Sequence, residues 1–492
     1  MTRSFLNLFL SISIVISAID CEAPAKKEND IAHFHGMLDN YWNDIKKLQP
    51  LDATIYGDNS LNDQFKNTCT QAYRDEVKNF LNRYLDSAKM FDPTTMNEED
   101  ELSHKILTYD LNTKLEGTKY DTWKIPFTQK GDPGNTLSYN IVFAMGQYGS
   151  GEAAQPFKTV KDYDNWLERV RGYTIWCDSA IENFRQGIAT KYVLPKTLVV
   201  KMIDICNGLI STDETKSIFY GPIEHLPSTF SATEKDSITV AYKQAIKNEL
   251  NPAHSKLALF LKNEYLPKAR ATSGVSYLPD GLNYYKFCVK DWTTTDKSLD
   301  EIYNTGLSEV KRIRQEMEDT KKSTGYKGAL KSFFEFMKTD KQFMPFKTPE
   351  LVLDSFSHIY EIIKPDLKKY FVLFPKSRFE IRQTEAFRAA SASIEYTPGT
   401  PDGSRPGIFY VPILNPATFN ITSGMESTFL HEAVPGHHYQ SSLQMEDTTL
   451  PVFRRFKWYG AYGEGWALYC ESLGNELGLY KNPYQYMGAL GG

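Results

Sequence analysis

Apolar residues recur at three- and four-residue intervals along most of the 492-residue chain, the period of an α-helix with one buried face. The pattern predicts helices over Ile31 to Leu48, Thr70 to Ala88, Asp162 to Gly187, Glu234 to Leu250, Ser298 to Thr320 and Pro349 to Ile363. Three have chemically sensible starts: Thr159 ahead of Asp162, Ser298 ahead of Glu301, and Thr348 ahead of Pro349. Strand-like runs are few and short. The clearest, Gly407 to Pro412, follows a turn-rich stretch from Thr397 to Pro406. No repeat, low-complexity tract or linker divides the chain. The pattern therefore predicts a mainly α protein, one large helical unit around a central cleft with a small β element.

The first eighteen residues stand outside that unit. Arg3 supplies a basic start, Phe5 to Ile16 an apolar run, and Ser17-Ala18 a small-residue exit, the composition of a secretory signal peptide. Residues 19–492 are left as one domain of a secreted chain. The apolar run is too short to span a bilayer, which takes about 20 residues, and no later stretch reaches that length. The formal charge of −5 gives no basic excess to neutralise phosphates and argues against nucleic acid as a partner. Six scattered cysteines, without C-x-x-C spacing, lead in a secreted chain to an expectation of one or two disulfides.

Chemistry gathers near the C-terminal end. Three of the nine histidines fall in the run His431-Glu432-Ala433-Val434-Pro435-Gly436-His437-His438, and a second cluster, Glu464-Gly465-Trp466-Ala467-Leu468-Tyr469-Cys470-Glu471, follows. A histidine followed directly by a glutamate offers a nitrogen ligand for zinc beside a carboxylate able to take a proton from water. In the common His-Glu-x-x-His helix the two histidines are one turn apart. Here the second lies six or seven residues on. In a regular helix it would sit roughly 120° round, or about 10 Å further along the axis. Pro435-Gly436 offers a remedy, because proline breaks the ladder and glycine permits a sharp bend. A bulge there would return His437 or His438 to His431. Glu464 is the expected third ligand, with Glu471 on the same face as an alternative ligand or a brace for a ligand histidine. Three protein ligands leave a fourth place for water, and Glu432 is the expected general base. Cys470 reads as a buried small side chain or half of a disulfide rather than a ligand. Arg405, in the turn Asp402 to Gly407, reads either as a turn residue paired with Asp402 or as a grip on a substrate carboxylate. In the second case Ile408 to Val411 is an edge strand that an extended peptide could join.

On His431 to Gln440, Glu464 to Glu471 and Asp402 to Gly407, the chain resembles the family catalogued as domain of unknown function 885, whose members are regarded as zinc hydrolases. Leu278 to Tyr285, Ile302 to Met317 and Gly187 to Pro195 fit the same pattern, so the resemblance covers most of the chain. It implies a helical fold similar to the angiotensin-converting and thermostable-carboxypeptidase families of zinc peptidases. In those families a glutamate on a second helix is the third ligand, which supports Glu464. A single histidine after the pair supplies the second, which leans toward His437 and leaves His438 open. The implied function is a secreted zinc-dependent hydrolase, a peptidase or related amide hydrolase acting on a peptide or small amide. Family members usually continue well past the Glu-Gly-Trp helix, whereas this chain stops at Gly492. A truncated C-terminus would leave apolar helical faces uncovered. The alternative expectation is thus a non-catalytic secreted relative that binds zinc or peptides.

Overall fold

The computed structural model describes residues 31–128, 141–390 and 392–492. The predicted signal segment and Cys21 lie outside these residues.

Helices dominate, and their starts follow local chemistry. Ile31–Leu48 forms over its predicted range, and the next predicted helix forms as Gln71–Lys89. The longest, Val160–Ala189, opens on a capping box in which the Thr159 side chain accepts from the Asp162 amide while the Asp162 carboxylate accepts from the Thr159 amide. Ser298 and Glu301 open Leu299–Ser323 in the same way. Thr348 makes no side-chain cap; Pro349 alone marks the start of Pro349–Tyr370. That helix runs past its expected end at Ile363 and tolerates Pro365 inside, because apolar packing of Ile363 and Leu367 on either side outweighs one lost backbone bond. Glu98–Gly117 escaped the periodicity altogether. Around Leu107 and Leu111 its buried face carries Asp100, Ser103, His104, Asp110, Thr113 and Lys114, so polar residues break up the apolar stripe that would advertise it.

Around Val160–Ala189 the largest core closes over Trp166, Tyr173, Trp176 and Phe184. A second core joins Ile31–Leu48, Gln71–Lys89 and Glu98–Gly117, and Phe453 from far along the chain inserts into it. The third lies beneath the motif region, where Val352, Phe356, Ile359 and Ile363 meet Phe409, Val411, Phe429 and Leu430.

A three-stranded sheet flanks this third core, with β1 (Phe379–Gln383), β2 (Glu395–Thr397) and β3 (Gly407–Val411) in the order β1-β3-β2. β3 runs parallel to β1 and antiparallel to β2. The expected edge strand is therefore the central one. All five of its residues are buried, so no extended peptide can join it. Its continuous apolar sequence, Ile408 to Val411, is the mark of a strand covered on both faces. The disulfide expectation is also corrected. Cys69, Cys177, Cys206, Cys288 and Cys470 form no disulfide, and all but Cys288 are buried, where they pack as small apolar side chains. No helix among the described residues is long and apolar enough to cross a membrane.

Candidate metal centre

His431 lies in the last turn of Met425–Glu432, and His437 opens a separate helix, His437–Glu446. The backbone between them turns sharply through Ala433 (φ −101°, ψ −105°), a cis Val434–Pro435 peptide and Gly436 (φ −76°, ψ −129°). The helix does not merely bulge; it stops and restarts. Gly436 is pressed onto the end of the first helix so closely that a Cβ would lie 1.8 Å from the His431 carbonyl oxygen and 2.3 Å from that of Leu430. Only glycine fits.

The second motif holds this turn from outside. Gly460–Ser472 buries a narrow stripe of Gly463, Ala467 and Cys470. From it, Trp466 Nε1 donates to the Pro435 carbonyl at 2.8 Å, and the Cys470 thiol donates to the same oxygen at 3.3 Å. Both side chains belong to the Glu-Gly-Trp block, so that block braces the turn as well as presenting carboxylates.

These contacts bring His431, His437 and Glu464 together, with one donor atom from each lying within 4.8 Å of the others. Glu464 Oε2 is 3.3 Å from His431 Nε2 and 3.7 Å from His437 Nε2. The two imidazoles stand nearly perpendicular, 85° apart, with centroids separated by 4.6 Å. Donors held about 2.1 Å from one tetrahedral zinc ion are about 3.4 Å from one another. Two nitrogens and a carboxylate oxygen at this spacing fit such an ion. Glu471 bonds His431 Nδ1 at 2.8 Å, fixing the ring so that Nε2 faces Glu464.

Glu432 lies near β2, where the Tyr396 backbone amide favours its charged form. Burial pushes its pKa up to about 7; the His431 charge opposes this, and Glu464 and Glu395 add to it. Burial, then repulsion from His431, lowers His437 to about 4. For His431, burial favours the neutral ring, but the Glu471 bond and the Glu432 and Glu464 charges outweigh it and raise the pKa.

The other candidates lie elsewhere. His438 is turned away from the cluster and bonds the Tyr396 hydroxyl through Nδ1 at 2.9 Å. Arg405 donates to the Pro398 carbonyl at 2.8 Å and, across the chain, to that of Ile55 at 2.9 Å. It ties the turn before β3 to the helix Pro50–Ile55, while Asp402 bonds Ser404 instead. Two residues near the centre were not singled out from the sequence. Tyr396 sits in a strand too short to show alternation. Trp458, about half exposed, stands edge-on to His437 at 5.3 Å and packs against Gly463; without tertiary contacts it is one aromatic among many.

Two solved structures share this fold. A "putative lipoprotein" from Colwellia psychrerythraea is 22% identical with a TM-score of 0.79, the match covering 93% of this chain and 80% of that one. A protein of the same description, of unknown function, from Shewanella oneidensis is 16% identical with a TM-score of 0.62 and the same coverages. No curated protein matches the chain. The family model described as bacterial protein of unknown function, DUF885, matches residues 50–492. Nine-tenths of the chain thus carries this family's pattern, including both motif blocks, and the protein belongs to the DUF885 family.

Proposed function

We propose that the protein is a secreted zinc-dependent hydrolase, of peptidase or related amide-hydrolase type. The convergence of His431, His437 and Glu464 carries this reading, with Glu432 next to His431 in the chain and Glu471 behind His431. In it His431, His437 and Glu464 hold the metal. When bound, zinc supplies a Lewis acid that brings the pKa of a coordinated water toward 7. Glu432 receives the proton of the water that attacks the amide carbonyl and passes it to the departing amine. A carboxyl whose burial lifts its pKa to about 7 suits a group that must both take and return a proton. Glu471 keeps His431 in the tautomer that presents Nε2. Secretion is supported by the basic start and apolar run of residues 1–18.

Metal analysis combined with peptide hydrolysis tests the reading. The wild-type protein is expected to bind one zinc per chain and to cleave peptide substrates. Glu432→Gln should keep the zinc and lose about 10²–10⁴-fold in kcat. Undiminished hydrolysis by that variant removes Glu432 from its role. Zinc binding without turnover by the wild type would point instead to a relative that binds zinc or peptides.

A further inference from the structure

Consecutive helical residues point about 100° apart, so His437 and His438 cannot serve one point from a regular helix. His438 is buried, 2% exposed, and its contacts run toward the sheet. Its ring packs on Phe379 of β1, centroids 4.8 Å apart. Nδ1 lies 2.9 Å from the Tyr396 hydroxyl of β2 and 3.4 Å from Ser442 Oγ, one turn further along its own helix. The Ser377 backbone favours a proton on the ring, and with that proton on the other nitrogen Nδ1 is the acceptor for the Tyr396 O–H. The same helix grips the approach to β1 again, as the Glu446 carboxylate accepts from the amides of Lys376 at 2.8 Å and Ser377 at 2.7 Å. One short helix therefore clamps both outer strands, with the buried β3 between them.

β2 has only three residues, and its pairing with β3 is correspondingly slight. Yet its Tyr396 amide borders the Glu432 carboxylate and favours its charged form. We propose that His438 is a positioning residue, which by holding the Tyr396 hydroxyl fixes β2 so that the Tyr396 amide aims the Glu432 carboxylate at the metal centre. The two adjacent histidines then divide the work: His437 faces the metal centre and His438 the strand that steers the base. The consequence for turnover rests on the hydrolase reading; the consequences for metal binding and for β2 do not.

Three variants test this: Tyr396→Phe, which removes one hydroxyl; His438→Leu, which removes the acceptor; and His438→Asn, whose side-chain oxygen takes the place of Nδ1. All three should bind zinc with wild-type stoichiometry. Amide hydrogen exchange over residues 395–397 should quicken by about tenfold in Tyr396→Phe and His438→Leu, and return toward wild type in His438→Asn. With a cleaved peptide, kcat should fall by about tenfold in the first two, with KM nearly unchanged, and recover in the third. Loss of zinc from folded His438→Leu would make His438 a ligand and overturn the proposal. So would unchanged exchange in Tyr396→Phe. If the wild type cleaves no peptide, the hydrolase reading fails, while zinc content and amide exchange still decide the role of His438.

Discussion

His431 illustrates how much a single side chain depends on what stands behind it. Its Nε2 can face Glu464 only because Glu471 holds Nδ1 at 2.8 Å. Glu471→Gln is expected to weaken zinc binding by about 10- to 100-fold, read by competition with a chelator, with little change in the fold. A different dependence governs Asp110, buried on Glu98–Gly117 between Lys114, 2.9 Å away, and Lys457. Burial alone would raise its pKa, but the two ammonium groups outweigh this and hold it well below the usual carboxylate range. The unfolded chain therefore binds a proton at Asp110 more readily than the folded one. The resulting stability is complete above about pH 4 and is lost as pH falls through the folded pKa. Asp110→Asn should cost about 3–5 kcal/mol at pH 7, because it removes the bonded carboxylate from two largely buried ammonium groups. Its deficit against wild type should shrink in acid, which denaturant unfolding at pH 7 and pH 3 can measure.

At the level of elements, the decisive feature is a helix that ends and begins again between two histidines of the candidate metal centre. The restart is enforced by close approach: Gly436 sits where any side chain would strike the His431 and Leu430 carbonyls. Gly436→Ala is expected to cost on the order of 3 kcal/mol or more and to separate His431 from His437. Thermal unfolding and zinc titration would both register it, and wild-type zinc affinity in this variant would argue against the turn's importance. Trp466 and Cys470, converging on the Pro435 carbonyl, make Gly460–Ser472 a brace for that turn. The helix carrying Glu464 therefore cannot shift without loosening the two histidines.

Across the whole molecule, distant segments are stitched to the site's surroundings. Phe453 enters the core of the first helices, Arg405 reaches the Ile55 carbonyl, and Lys457 pairs with Asp110 immediately before Trp458, which lies against His437. Metal binding to residues drawn from three helices should therefore stabilise the folded chain as a unit. At free zinc about 100 times Kd, the gain is about 2.7 kcal/mol, seen as a rise in Tm that a chelator reverses. His431→Ala should abolish the response.

The helical class, several helix starts and the approach of Glu464 to His431 were legible from spacing and residue type, because periodicity and capping are local properties. The family's pattern was legible in the same motif blocks. Less accessible was anything set by contacts between segments remote in sequence. Glu98–Gly117 hid behind a polar buried face that only paired partners such as Lys457 make tolerable. β3 proved central rather than an edge because two earlier strands, β1 and β2, pair with it from opposite sides. The facing of adjacent His437 and His438 in different directions depended on where the broken helix resumed. That point is set by the packing of Gly436 on the preceding turn and by the hold of Trp466 on Pro435, contacts that exist only once the chain has folded.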